Sequence, residues 1–374
     1  MRTDEFDYFL PEELIAQFPC EERRQSRLLC VNKNEKTIDH KRFFEIENYF
    51  TSGDVLVLNN TKVIPARLFA RKKETGANIE VLLLEELFSC PFSEYHDKYG
   101  KCDFEGLRPL YVSRWKVLLN PSRRVKRGDT LVFITDGKTE VSFYAIVPDD
   151  DSQEKGMERI LDIFSMRPVR ENIIRYGKIP LPPYIKRTSD NNDATTYQTV
   201  YAEKEGAIAA PTAGLHFDEA LFETLKAKGV QICCITLHVS YGTFKPIKTK
   251  YVKDHEMHTE RIEISEETSK IINDAKDEGR RVIACGTTTV RALESAVEVG
   301  GYVTSGNRRT SIFIYPSFEF KVIDALVTNF HLPRSSLLML VSAWGGIDLI
   351  KQAYAQAVQE KYRFYSYGDA MFIH

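Results

Sequence analysis

Apolar residues fall into two kinds of run along this chain, and the change between them divides it. In residues 1 to about 65, a helix-like segment L-P-E-E-L-I-A-Q precedes Val55-Leu56-Val57-Leu58, a continuous apolar run of the kind that forms a strand buried on both faces. From Lys72 to about Pro180 the runs are short and alternating, over 79–84, 115–119, 130–134 and 141–146. Turn residues such as Asn120-Pro121-Ser122 and Arg127-Gly128-Asp129 separate them. That pattern predicts a small barrel or sandwich, with residues 85–113 as a long irregular loop inside it. From about Ile185 onward, apolar strands alternate with amphipathic helices, which predicts an α/β arrangement.

Within the α/β part, four predicted strand ends carry polar chemistry. Residues 206–210 read as a short buried strand that runs into A-A-P-T-A-G-L-H-F (209–217), with Asp218 placed to cap the next helix. The other ends lie in 235–244, 282–291 and 326–333. Ligands of open α/β sheets bind beyond the carboxyl ends of the strands, so these four ends are expected to share one pocket. In the first, Pro211 and Gly214 are expected to let backbone approach a ligand, while Thr212 and His216 present donors and acceptors. In the third, Gly286-Thr287-Thr288-Thr289-Val290-Arg291 offers helix-start N–H groups and an arginine, a set suited to a carboxylate or phosphate. It lacks the lysine and spacing of a P-loop, so nucleotide hydrolysis is not indicated. Each junction taken singly also suits ordinary capping.

Charge changes this picture little: 51 basic against 53 acidic residues leave a net charge of −2, so nucleic-acid contact must come from local patches. Two are present. One is Arg114-x-Lys116 with Ser122-Arg123-Arg124-Val125-Lys126-Arg127; the other runs from Lys245 through Lys248 to Lys253. The acidic start, M-R-T-D-E-F-D, has no apolar signal region, and no run nears the ~20 apolar residues that span a bilayer, so a cytoplasmic protein is expected. The seven cysteines include no C-x-x-C pair and read as buried thiols. In Asp254-His255-Glu256-Met257-His258 the histidines are three apart, whereas a zinc helix spaces them four apart, so no metal is expected.

Several blocks occur in a characteristic order. They are G-D-V-L-V-L-N-N-T-K-V-I-P-A-R-L (53–68), L-P-P-Y-I (181–185), Y-Q-T-V-Y (197–201), A-A-P-T-A-G-L-H-F, T-L-H-V-S-Y-G-T-F (236–244), D-H-E-M-H, V-T-N-F-H-L-P (327–333) and Y-R-F-Y-S-Y-G-D-A-M (362–371). Together they resemble the S-adenosylmethionine:tRNA ribosyltransferase-isomerase family of queuosine biosynthesis, over nearly the whole chain. The resemblance implies an α/β catalytic domain (1–66 and 183–374) interrupted by an inserted β-barrel domain (67–182). It implies a monomer without a metal, in which S-adenosylmethionine is consumed as a ribosyl donor and no cofactor is held. The ribosyl part passes to 7-aminomethyl-7-deazaguanine at the wobble position of tRNA and is rearranged to give epoxyqueuosine, releasing adenine and methionine. Two positions depart from the family pattern: Ser240 and Ser317 stand where glycine is usual.

These substrates define the roles to fill. A base must take a proton from the carbon beside the sulfonium, an acid must protonate departing adenine, and the amine must be made neutral. His216, His238 and His331 are the candidates. Thr287, Thr288 and Arg291 suit the methionyl carboxylate, and Tyr184, Tyr197 and Phe244 suit the flat bases. Asn60, Thr61, Arg67, Thr212, Gly214, Thr243 and Asn329, within the same blocks, complete the expected substrate set. Arg123, Arg124, Lys126, Arg127, Lys245 and Lys248 are the expected tRNA contacts. Competing readings are an S-adenosylmethionine-dependent tRNA methyltransferase, for which no strand with a G-x-G-type turn is found, a metal hydrolase, and a non-catalytic tRNA-binding module.

Overall fold

The computed structural model of the chain describes residues 1–99, 109–135, 143–150, 158–239, 247–298 and 300–374. Its strands are β1 (Arg27–Asn32), β2 (Thr37–Arg42), β3 (Val55–Asn59), β4 (Thr61–Val63), β5 (Arg67–Lys72), β6 (Asn78–Pro91), β7 (Tyr111–Asn120), β8 (Thr130–Phe133) and β9 (Phe143–Ile146). They continue with β10 (Glu158–Ser165), β11 (Lys204–Ala207), β12 (Gln231–Leu237), β13 (Glu260–Ile264), β14 (Val282–Cys285), β15 (Gly306–Thr310), β16 (Ala325–Asn329) and β17 (Ala370–Ile373). Two compact units result. One holds Met1–Lys62, Leu181–Thr188 and Thr195–His374; the other holds Val63–Pro180 and Ser189–Ala194.

In the first unit the described strands form a nine-stranded sheet in the order β15-β13-β12-β3-β14-β16-β17-β1-β2. The middle strands β12, β3, β14 and β16 run parallel, and antiparallel pairs flank them. β3, β14 and β16 are buried along their whole length, as expected of a parallel sheet covered on both faces. Alternation splits their side chains between two cores. Val55 and Val57 pack with Ile272, Val290 and Leu293, while Leu56 and Leu58 pack with Phe217, Leu221 and Leu225. Asp218 caps the helix Glu219–Ala227, accepting from the Leu221 amide at 2.8 Å.

Two local expectations change. The segment L-P-E-E-L-I-A-Q makes a single 3-10 turn, Glu12–Leu14, because the backbone around it pairs with Phe364 instead of with itself. The strand expected at 206–210 is β11, which ends at Ala207 and ladders with β4 outside the large sheet.

The second unit contains a closed barrel, β10-β7-β6-β5-β8-β9. Residues 85–91, expected to be loop, continue strand β6 to Pro91, which pairs with Tyr111 of β7, and a helix comes next at Phe92–Tyr99. Register shifts at Leu83/Glu85 and Glu86/Phe88 explain the missed strand: each bulge slips the two-residue alternation that marks a strand in sequence. On the outer wall of the barrel, beneath the helix that carries Tyr95, the Arg114 guanidinium donates to Asp162 from Nε at 2.6 Å and from Nη2 at 2.8 Å, and the Tyr95 hydroxyl donates to Asp162 at 2.6 Å.

Candidate active site at the strand ends

The parallel strands β14 and β16 end side by side, and local sequence dictates the shape of the turn after β14. There Gly286 takes φ +92°, a conformation strained for any residue with a side chain, and its amide donates to Val327 of β16 at 2.8 Å. The glycine cannot cap the helix Thr287–Ser295 with a side chain. The first amides of that helix therefore have no partner within it and carry the positive end of its dipole. Asn59, at the end of β3, ties the neighbouring ends together. Its Oδ1 accepts from the Leu237 amide at 3.0 Å, and its Nδ2 donates to the Leu237 carbonyl at 3.0 Å and to Thr288 Oγ1 at 3.3 Å.

A cleft of about 640 Å³, open to solvent, lies past these ends. Its walls include Pro211, Thr212, Val239, Thr287, Thr288 and Asn329, with His331, Tyr184, Tyr365 and Ser366. All belong to the first unit. Thr212 donates to Asn329 Oδ1 at 3.0 Å, while Asn329 Nδ2 donates to the Tyr365 carbonyl at 3.2 Å and meets His216 Nε2 at 3.1 Å. Tyr365 is held at φ +71°, a backbone state that costs a non-glycine residue of order 1–2 kcal/mol. Its ring sits 4.6 Å from that of Tyr184, whose hydroxyl bonds Ser366 Oγ at 2.6 Å. The wall thus combines flat apolar faces with a helix start, an arrangement able to hold an adenosyl group and a carboxylate together.

The three candidate histidines part company. His331 borders the cleft, bonded through Nε2 to Thr328 Oγ1 at 2.8 Å, and burial pushes its pKa down to about 3. His216 is buried on the far side of Asn329, in a neighbouring cavity; its Nδ1 meets Ser26 Oγ at 2.7 Å. Its pKa is likewise pushed down to about 3, by burial first and then by Arg363 and Arg23. His238 faces a separate groove, with Nδ1 2.8 Å from Thr61 Oγ1, and its pKa is lowered by burial and by Arg261.

Other expected residues are similarly divided. Thr212, Thr287, Thr288, Asn329 and Tyr184 meet at the cleft. Arg291, on the same helix as Thr287, is buried against Glu260 and donates to the Ile312 carbonyl at 3.3 Å. Tyr197 is fully buried, edge-on to Tyr367 at 5.7 Å. Asn60 joins Thr236 and Glu203 at 2.7 and 2.9 Å, and Arg67 lies in the barrel unit, paired with Glu80 at 3.0 Å. Gly214 is needed because a Cβ there would come 1.8 Å from the Tyr201 hydroxyl, so its backbone approaches a protein side chain. Thr243, Phe244, Lys245 and Ser240 lie outside the described residues. Asn59, Thr328, Tyr365 and Ser366 were not anticipated. For Asn59 a signal existed: a polar residue closing an all-apolar buried strand.

Of the expected tRNA contacts, Arg123, Arg124, Lys126 and Arg127 are placed on the connection between β7 and β8, and Lys248 belongs to the first unit; all five are exposed. Arg114 and Lys116, counted with the same patch, are instead engaged by Asp162 and Glu158. Among the described residues, no group of three His, Cys, Asp or Glu side chains is arranged to hold a metal, and no helix is long and apolar enough to cross a membrane.

A sheet of this order, with a ligand-sized cleft past its parallel strands and a closed barrel elsewhere in the chain, defines a two-unit α/β protein with a candidate small-molecule site. The chain belongs to the queuosine biosynthesis protein family, which matches residues 3–373. It is 45% identical over 373 residues to the S-adenosylmethionine:tRNA ribosyltransferase-isomerase of Sulfurihydrogenibium sp. (strain YO3AOP1), with 100% of both chains covered. The enzyme of the same name from Macrococcus caseolyticus is 46% identical over 374 residues, again with 100% of both covered. The crystal structure of S-adenosylmethionine tRNA ribosyltransferase from Thermotoga maritima is similar with a TM-score of 0.51 at 37% identity, covering 99% of this chain and 100% of that one.

Proposed function

We propose that the chain is an S-adenosylmethionine:tRNA ribosyltransferase-isomerase that converts tRNA-borne 7-aminomethyl-7-deazaguanine to epoxyqueuosine, with loss of adenine and methionine. The observation that carries this reading is the cleft past β14 and β16, in a chain that matches the family from end to end. The uncapped start of the helix at Thr287 and Thr288 takes the methionyl carboxylate, since orphan amides and the dipole both favour an anion there. Tyr184 and Tyr365 supply faces for a base. His331, on the cleft wall, is assigned the proton that the sulfonium acidifies on the 5′ carbon, while a second group returns a proton to adenine as it leaves. The neutral amine then forms the new C–N bond, and methionine departs as a thioether that needs no acid.

His216 acts at one remove. By receiving Asn329 it fixes the amide that orients Thr212 at the cleft wall, which makes it a positioning residue. The basic residues Arg123, Arg124, Lys126, Arg127 and Lys248 are assigned to tRNA phosphates. We further propose a cytoplasmic monomer that uses neither metal nor bound cofactor.

The test uses S-adenosylmethionine labelled separately in methyl and ribosyl groups, with tRNA carrying the aminomethyl base. Ribosyl label enters tRNA, one adenine appears per modified tRNA, and a chelator has no effect. Methyl label in tRNA would make the protein a methyltransferase. Chelator sensitivity would bring back a metal, and tRNA binding without adenine release would leave a binding module.

A further inference from the structure

The cavity that holds His216 shares a boundary with the cleft, and two stretches of chain run from one to the other. Along the 3-10 turn Thr212–His216, Thr212 and Ala213 line the cleft, whereas Leu215 and His216 line the second cavity. Over the next stretch Tyr365 lines the cleft, Tyr367 lines the second cavity and Ser366 lines both. Asn329, in the cleft wall, meets His216 Nε2 across the same boundary at 3.1 Å. Both spaces belong to the first unit. Ligands occupying the two would therefore meet at Ser366.

The second cavity measures about 430 Å³ with its open mouth, within the ~300–1,000 Å³ of small-molecule sites. Pro19 and Leu215 give it apolar faces. Most of its polar groups are already engaged: Arg23 donates to the Leu215 and Thr195 carbonyls at 3.2 and 3.1 Å, and Ser26 Oγ is bonded to His216 at 2.7 Å. Glu21 differs. It is an exposed lining residue, which puts it at the mouth, and among the described residues no hydrogen bond or ion pair engages its carboxylate. An ionised carboxylate only accepts, and its two oxygens suit a ligand edge that presents two donors side by side.

We propose that this second cavity receives the acceptor base, 7-aminomethyl-7-deazaguanine, turned out of its tRNA loop, with Glu21 accepting from the two adjacent N–H groups of the base's Watson–Crick edge. The inference rests on the function proposed above, which needs donor and acceptor side by side. Bases of single-stranded loops are commonly read in this way, splayed out and bonded along that edge. The aminomethyl group lies at the opposite end of the base from the edge. Held by Glu21 at the mouth, the base points its amine inward, toward buried Ser366 and the cleft. Adenine offers a donor beside an acceptor and lacks the matching pair.

Cys20, a half-buried free thiol in the same lining, reports occupancy directly. The experiment follows its alkylation by N-ethylmaleimide, resolved by peptide mapping, without S-adenosylmethionine. Two tRNAs are compared, one carrying the aminomethyl base and one with adenine in its place. At a concentration roughly ten times Kd the first is expected to slow alkylation about tenfold, because only the free fraction reacts. The adenine tRNA, bound to the same occupancy, is expected to protect far less. In parallel, Glu21→Gln sets an amide donor against a donor of the base and is expected to raise KM for tRNA by ~10-fold, with kcat and S-adenosylmethionine affinity unchanged. The exposure of Glu21 lets this variant keep the fold. Equal protection by both tRNAs, no protection, or an unchanged KM in Glu21→Gln, with a wild type that still modifies tRNA, overturns the pocket assignment and leaves the function standing. A wild-type protein that neither binds nor modifies tRNA overturns both.

Discussion

The barrel unit and the sheet unit each bury a polar cluster, and the clusters differ in what is left over. On the barrel wall, the guanidinium of Arg114 is forked onto Asp162 and reaches Asp150 at 2.9 Å, and Asp162 also receives Tyr95, so the charged groups are turned on one another. At the strand ends, Asn59 and Asn329 also use both ends of their amides, but they do so to hold Thr288 and Thr212 in the wall of an open cleft. Beside them stands a helix start that no side chain caps. A closed polar cluster secures the fold, whereas one that leaves donors facing space is equipped to bind.

The largest effect expected from this contrast is on the closed cluster. Asp162→Ala strands a buried guanidinium and should cost ~3–5 kcal/mol of stability, read from the urea midpoint. S-adenosylmethionine affinity, measured on the folded fraction, should be unaffected. A loss of affinity without a loss of stability would give the barrel cluster a role in the chemistry.

On the open side, His331→Ala should lower single-turnover adenine release by ~10²-fold while the urea midpoint moves little, as suits a proton-transfer group at the cleft. His216→Ala should show the reverse weighting. It removes one buried hydrogen-bond partner from each of Asn329 and Ser26, at a cost of ~1–3 kcal/mol, and reaches the chemistry through Asn329. Equal losses of turnover and stability in both variants would erase the distinction drawn between the two histidines.

The pH dependence is the next smaller effect. His216 is held neutral with a pKa pushed down to about 3, against about 6.5 for an unfolded histidine. Below pH 6.5 the unfolded chain binds the proton and the native state does not, so stability is intact above pH 6.5 and falls as pH drops toward 3. One such group contributes a slope of up to ~1.4 kcal/mol per pH unit. His216→Asn should remove that share, which denaturation between pH 6.5 and 4.5 would reveal.

Much of this was legible from sequence, and the remainder was not for identifiable reasons. The apolar runs of β3, β14 and β16 announce a buried parallel sheet, and Asp218 announces a helix start. Strand β6 was hidden by its two bulges, which destroy the alternation that sequence reading relies on. Arg291 looked like a carboxylate ligand because Glu260, its partner, lies 31 positions away, and the contacts of His216 lie 113 and 190 positions away. Long-range pairing decides whether such a residue is spent or available.

Ser317 offers the smallest effect. It has φ +80° and comes after Pro316 in a turn closed by Phe318 N–H to the Tyr315 carbonyl at 3.0 Å, so it occupies the position where such turns favour glycine. Ser317→Gly should raise stability by ~1 kcal/mol with turnover unchanged. A lower midpoint would mean that the serine hydroxyl compensates for the strain.

The central claim, that the helix start at Thr287 and Thr288 receives the carboxylate of S-adenosylmethionine, is tested most directly by calorimetric titration of S-adenosylmethionine into Thr288→Asp and its neutral isostere Thr288→Asn. An aspartate there complements the helix dipole but repels a carboxylate. Thr288→Asp is expected to weaken S-adenosylmethionine binding by ~10-fold or more relative to Thr288→Asn, since two like charges within ~4 Å at a partly buried site interact by several kcal/mol. Equal affinities in the two variants would contradict the account and move the carboxylate elsewhere.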